Sequence, residues 1–144
     1  MIKFDKLWVV MKEKKGSSMS LGIKMLKDGA VDGFLSAGNT GALHTASTLI
    51  VRKIKGIRRS AIATIIPFEN PILMLDSGAN PTVTADILNQ WAILGSVYMN
   101  KMLGVNNVRV GLLNNGIEEH KGTETVQEAH QLLKNNKDIY FVGN

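Results

Sequence analysis

The stretch VDGFLSAGNTGALHTASTLI, Val31 to Ile50, passes from a short apolar segment through a glycine-rich turn into a run with helical spacing. VDGFLS reads as a buried strand: it is short, apolar and bounded by turn residues. Leu43, Ala46, Leu49 and Ile50 recur at the intervals that put them on one helical face. That helix is expected from about Ala42 to Lys53, with Arg52 and Lys53 complementing the dipole in its last turn. Strand, tight turn and helix together form the repeating unit of an α/β sheet.

Working outward, the same alternation continues in both directions. LWVVM, Leu7–Met11, fits a short strand. Ser17 and Ser18 offer N-caps for a helix with Met19, Gly22, Ile23 and Leu26 inward, and Gly29 suits the left-handed position past its end. AIATIIP and PILMLDSG are β-rich runs separated by a loop at Pro67–Pro71. A long helix is expected from Thr82 or Thr84 to Gly104, with a buried stripe of Ile87, Leu88, Trp91, Leu94, Gly95, Tyr98 and Met102. VRVGLLN reads as another buried strand and Asn114–Gly122 as a polar loop. Thr125 with Glu128 fits a capping box for a helix through Leu133, and IYFVGN a final strand. The pattern predicts an α/β fold with a largely parallel sheet, residues 1–144 forming a single domain.

Composition narrows the function classes. The 144 residues, 44% hydrophobic and 20% charged, suit a folded domain with its own core. With no cysteine, the chain has no disulfide, no thiolate nucleophile and no cysteine metal site, which suits an intracellular protein. No segment approaches the roughly 18 consecutive apolar residues of a membrane span, and the N-terminal apolar run is too short for a signal peptide. The net charge of +5 gathers at Lys12, Lys14 and Lys15 and again at Arg52, Lys53, Lys55, Arg58 and Arg59. Such clusters suit nucleic acid, anionic lipid or an acidic protein partner, or are simply a solvated basic surface. The absence of interleaved aromatic residues weakens the single-stranded nucleic-acid reading.

Chemistry has room in the polar loops that follow predicted strands: Ser36–Gly41, Asp76–Asn80 and Asn114–Gly122. In an open α/β sheet the carboxyl ends of the strands share one edge, so these loops are expected to meet at one crevice. Gly38 and Gly41 allow backbone N–H groups to approach an anion at a helix start, with Asn39 and Thr40 adding side-chain bonds. Equally, the glycines make a tight turn and Asn39 or Thr40 caps the helix; spacing alone leaves the two readings level. Asp76 organises its loop, binds a cation or forms a plain Asx-turn, and Asn80 is a turn residue or a ligand contact. Lys121 neutralises an anion or pairs with Glu118 or Glu119. His44, His120 and His130 show no metal-ligand spacing, so no metal site is expected.

In order and in register, SAGNTGAL, IVRKIKGI, LDSGAN, ILGSVY, RVGLLN and EEHKGTE resemble the acyl-ACP:phosphate acyltransferase (PlsX) family of bacterial phospholipid synthesis. The resemblance runs from KKGSSM at Lys14–Met19 to the terminal FVGN. It implies transfer of a fatty-acyl group from the thioester of acyl carrier protein to inorganic phosphate, without a cofactor. It also implies a three-layer α/β/α fold similar to isocitrate and isopropylmalate dehydrogenases, a homodimer, and a cytoplasmic enzyme peripheral to the membrane. Matched motif by motif, Gly38, Asn39, Thr40 and Gly41 are expected at the phosphate or acyl phosphate, and Lys121 at the developing charge. Asn39 and Lys121 are the catalytic candidates. Asp76, Gly78 and Asn80 match the Asp-x-Gly-Ala-Asn motif and Asn114 the Leu-Leu-Asn motif, as organisers of the crevice. The Arg52–Arg59 segment becomes a docking surface for the acidic carrier protein.

Members of that family are longer. This chain lacks their opening Asp-Ala-Met-Gly-Gly-Asp strand and their continuation after FVGN, so an internal fragment or truncated member, incomplete at both ends, is expected. Ser60 and Thr64 stand where proline is usual, Ser77 where valine is common and Glu13 where a basic residue is usual. The alternative reading is a non-catalytic module that binds phosphate or carrier protein through the same loops.

Overall fold

Ser17 starts the first helix among the described residues: its Oγ accepts the Ser20 N–H at 3.3 Å, and α1 runs over Ser18–Lys27. The computed structural model describes residues 16–144, so the expected strand at Leu7–Met11 and the Lys12, Lys14 and Lys15 cluster lie outside the described residues. The chain divides into two units, one ending at Ser60 and one spanning Ala61–Asn144.

In the first unit α1 packs against α2, Thr40–Ile50. Ile23 and Ala46 are fully buried, and the Phe34 ring lies over Gly22, where no side chain would fit. Gly29 takes the left-handed conformation expected past α1. Two expectations are corrected. VDGFLS is not a strand: it pairs with no strand among the described residues, and Leu35 is 96% exposed. A strand needs a hydrogen-bonded neighbour, which an apolar run by itself does not supply. The helix also stops before Arg52 and Lys53. The Ser47 carbonyl accepts both the Val51 and Arg52 N–H groups, at 3.0 and 3.2 Å, and Arg52 adopts a positive φ of 74°. These cations therefore lie beyond the last turn instead of within it.

In the second unit β1, Thr64–Ile66, and β2, Ile72–Met74, form an antiparallel hairpin across the expected Pro67–Pro71 loop, with Ile65 opposite Leu73. Leu73 and Leu75 reach Gly95 on the long helix α3, Ala85–Leu103, which Gly104 closes in the left-handed conformation as expected. β3, Arg109–Gly111, then pairs in parallel with β4, Tyr140–Gly143, through α4, Glu124–Asn135, giving one βαβ unit. The core joins Ile87, Trp91 and Met99 of α3 with Ala129 and Leu133 of α4.

The α/β class holds, but among the described residues the strands form one antiparallel and one parallel pair instead of a largely parallel sheet. Three local expectations shift as well. Met99 is buried while Tyr98 and Met102 are exposed, so the last turns of α3 pack through a neighbouring stripe. The strand in VRVGLLN covers only Arg109–Gly111, and Leu113 is largely exposed. Helix α4 is capped by Thr123, whose Oγ1 accepts the Val126 N–H at 3.4 Å, so Thr125 and Glu128 form no capping box.

Leu133→Ala is expected to destabilise the second unit by about 2–5 kcal/mol, as for other buried leucines. Leu113→Ala should cost less than about 0.5 kcal/mol, since an exposed site leaves no cavity. Urea denaturation followed by far-UV circular dichroism measures both.

Candidate active site

The glycine-rich turn is a helix start with its donors outward. Asn39 caps α2, its Oδ1 accepting the Ala42 N–H at 3.1 Å, so the capping reading of Asn39 is realised. Gly38 sits at φ +112°, a conformation that L side chains rarely adopt, and its N–H donates to Ser36 Oγ at 3.2 Å. The turn therefore needs its glycine whatever it binds. The N–H groups of Thr40 and Gly41 precede the first intrahelical bond, and the dipole favours negative charge beside them.

The Asp76 loop is a clamp centred on one carboxylate. Asp76 Oδ1 accepts the Ile62 N–H at 2.7 Å, while Oδ2 accepts the Asn80 backbone N–H at 2.7 Å and its Nδ2 at 3.1 Å. Burial raises the carboxyl's pKa, but the hydrogen bonds from Ile62, Asn80 and Ala79 together outweigh it and hold it below the ordinary value. Ser77 doubles the tie: its N–H and Oγ both donate to the Ile62 carbonyl, at 3.0 and 3.2 Å, and its Oγ lies 2.6 Å from Thr64 Oγ1. Asp76 and Asn80 are thus brought together as an organising pair, with Gly78 at a positive φ between them.

The third loop is tied to the start of α4. Asn114 Nδ2 donates to the Lys121 carbonyl at 3.0 Å, and its Oδ1 accepts the Asn115 N–H at 2.9 Å. Gly122, at φ +86°, closes the loop where an added Cβ would lie 2.5 Å from Asn114 Oδ1. Gln127 Nε2 fastens the far side by donating to the carbonyls of His120 and Gly122, at 2.7 and 3.2 Å. Asn114 and Lys121 are therefore joined through the backbone, and the Lys121 side chain is exposed. The surface pairing expected for Lys121 does not involve Glu119, which pairs with Lys134 at 2.6 Å. That contact, ahead of the Gln131 bond, holds the Glu119 carboxyl below its ordinary pKa.

His44 Nε2 lies 3.0 Å from Ser60 Oγ, and His120 is exposed on the third loop. Among the described residues no cluster of histidine and carboxylate side chains has metal-ligand geometry, and no helix is long and apolar enough to cross a membrane. Sequence reasoning overlooked Gln127, Ser77 and Thr64 as loop ties. The only signal was that Gln127 stands four residues after the helix cap, within reach of the preceding turn.

The three polar loops lie within the stretch that known proteins share. The fatty acid synthesis protein family model matches residues 2–144. The chain belongs to this family. It is 48% identical over 134 residues to a phosphate acyltransferase of Caldanaerobacter subterraneus, covering 92% of this chain and 40% of that protein. A phosphate acyltransferase of Thermoanaerobacterium thermosaccharolyticum is also 48% identical over 134 residues, and one of Clostridium tetani is 44% identical over 137. The chain spans about 40% of the length of these fatty acid synthesis family relatives.

Because Asp76 has its pKa lowered on folding, its contribution is complete above the unfolded value of about 3.9 and is lost as pH falls through the folded value. Asp76→Asn is expected to cost about 1–3 kcal/mol at pH 7, since one donor facing it loses its acceptor. It should also flatten the acid limb of the stability curve below about pH 4. Urea midpoints of both proteins from pH 3 to pH 7 measure this.

Proposed function

We propose that this chain carries the phosphate-handling part of an acyltransferase that moves a fatty-acyl group from acyl carrier protein to inorganic phosphate. The observation that carries the reading is 48% identity over 134 residues to a protein named phosphate acyltransferase. The local geometry is compatible with it, because phosphate is itself the nucleophile and the protein has only to position anions and stabilise charge.

In this reading a phosphate oxygen attacks the thioester carbonyl carbon. The new C–O bond pushes the carbonyl pair onto oxygen, and collapse of the tetrahedral oxyanion breaks the C–S bond. The carrier thiolate leaves and takes a proton from solvent. Lys121 offsets charge on the phosphate or oxyanion, and the Thr40 and Gly41 N–H groups with Asn39 hold an anion at the start of α2. Gly38 shapes that turn, while Asp76, Gly78, Asn80 and Asn114 fix the loops in which they stand.

The Arg52–Arg59 segment is suited by charge to the acidic carrier protein; within it Lys53 Nζ donates to the Arg58 carbonyl at 2.5 Å. The isocitrate dehydrogenase-like three-layer fold, the homodimer, the peripheral membrane association and the cytoplasmic location belong to the same proposal.

The test is formation of acyl phosphate from acyl-acyl carrier protein and phosphate by the protein that carries this segment. Lys121→Ala is expected to lower kcat/KM by roughly 10²–10³-fold, the size of a lost oxyanion contact. Asn39→Ala should raise KM for phosphate. Unchanged rates in both variants remove these roles. Carrier-protein binding without turnover, read by calorimetry, selects the non-catalytic module instead.

A further inference from the structure

His130 is the buried titratable group that the reaction above leaves unused. It is 4% exposed on α4, with its ring edge-on to Phe141 of β4 at 5.1 Å between centroids. Its Nδ1 lies 2.8 Å from Asn144 Oδ1, and Asn144 Nδ2 donates to the Glu118 carbonyl at 2.9 Å. Its Nε2 lies 3.5 Å from Glu119 Oε1. Both ring nitrogens therefore lead to the loop segment that immediately precedes Lys121.

The bonds fix the tautomer. The Glu118 carbonyl only accepts, so the Asn144 amide must turn its NH₂ toward it and its Oδ1 toward His130. Oδ1 also only accepts, so His130 Nδ1 carries the proton. In the neutral ring, Nε2 is then a bare lone pair facing a carboxylate that Lys134 and Gln131 hold without it. Adding a proton turns the same contact into an N–H donating toward Glu119.

We propose that His130 is a positioning residue for the Lys121 loop, holding Glu118 through Asn144 at all pH values and Glu119 directly once it is protonated. The role rests on the reading of Lys121 as the phosphate-facing cation. The charged groups bonded into this cluster among the described residues are Glu119 from the loop and Lys134 from the next turn of α4. From β4 comes Phe141 and from just beyond it the Asn144 amide, both neutral, and α3 is joined to the C-cap of α4 by the neutral bond from Asn136 Nδ2 to Asn89 Oδ1. Lys134 holds the Glu119 carboxyl below its ordinary pKa, so it stays ionised above about pH 5. His120, exposed on the same loop, is a second imidazole beside the Lys121 amide, and any step it causes is one that Glu119→Gln leaves in place.

The test uses the 144-residue chain, imidazole ¹⁵N spectra and amide hydrogen exchange. At pH 8 the spectrum should show Nδ1 protonated and Nε2 bare. From pH 8 to pH 5.5, exchange at Lys121 and Gly122, corrected for its intrinsic pH dependence, should slow roughly two- to fivefold, as for a half-exposed ion pair. The Leu132 and Leu133 amides on α4 should not share this step, which separates positioning from general stability. Glu119→Gln, at an exposed site where folding is not at risk, should abolish the step, and Asn144→Ala should speed exchange at both pH values. A protonated Nε2 at pH 8, no step in the parent chain, or a step that survives Glu119→Gln overturns the proposal. If the step is present but Lys121→Ala leaves phosphate binding unchanged in an NMR titration, the phosphate-facing role of Lys121 fails while the His130 latch stands.

Discussion

The second unit depends on one buried face of α4. Ala129, His130 and Leu133 are almost completely removed from solvent, and at their spacing they fall on one side of the helix. Packing that side fixes the rotation of α4 against α3 and sets β4 beside β3. Because β3 and β4 run parallel, the chain between them must cross from the end of one strand to the start of the other. The Asn114–Gly122 loop is the first part of that crossing, so the packing of α4 also determines where Lys121 is presented.

The polar loops share a second feature: each is closed by a side chain of its own. Asn39 takes an N–H of its helix, Asp76 takes the N–H groups of Ile62 and Asn80, and Asn114 donates to the Lys121 carbonyl. Loop backbone has no ladder to satisfy it, so a polar side chain of the loop substitutes for one. The consequence for function is direct. Loops held from within present the remaining donors, including the start of α2 and the Lys121 ammonium, without using them for closure.

Local signals were legible where the physics is local. Ser17, Gly29 and Gly104 act as the expected caps, and the Pro67–Pro71 loop separates two strands as read. Misreadings arose where distant partners decide. VDGFLS has the composition of a strand but pairs with none among the described residues. Thr123 outcompetes Thr125 as a cap because the loop tied by Asn114 and Gln127 ends at Gly122. Met99 replaces Met102 as the buried methionine because packing, not periodicity alone, orients the far turns of α3.

The sequence by itself determined the family, the polar loops and the residue types available to them, since motif order and turn chemistry are properties of neighbouring residues. Tertiary structure alone decided which donors meet which acceptors. Asp76 faces Ile62, fourteen residues earlier, and Asn144 reaches Glu118 across the parallel pair of strands. It also gave Glu119 to Lys134, leaving Lys121 outside that pair, because successive turns of α4 bring residues distant in sequence within reach of the loop. Such contacts depend on how buried surfaces pack, and no local spacing encodes them.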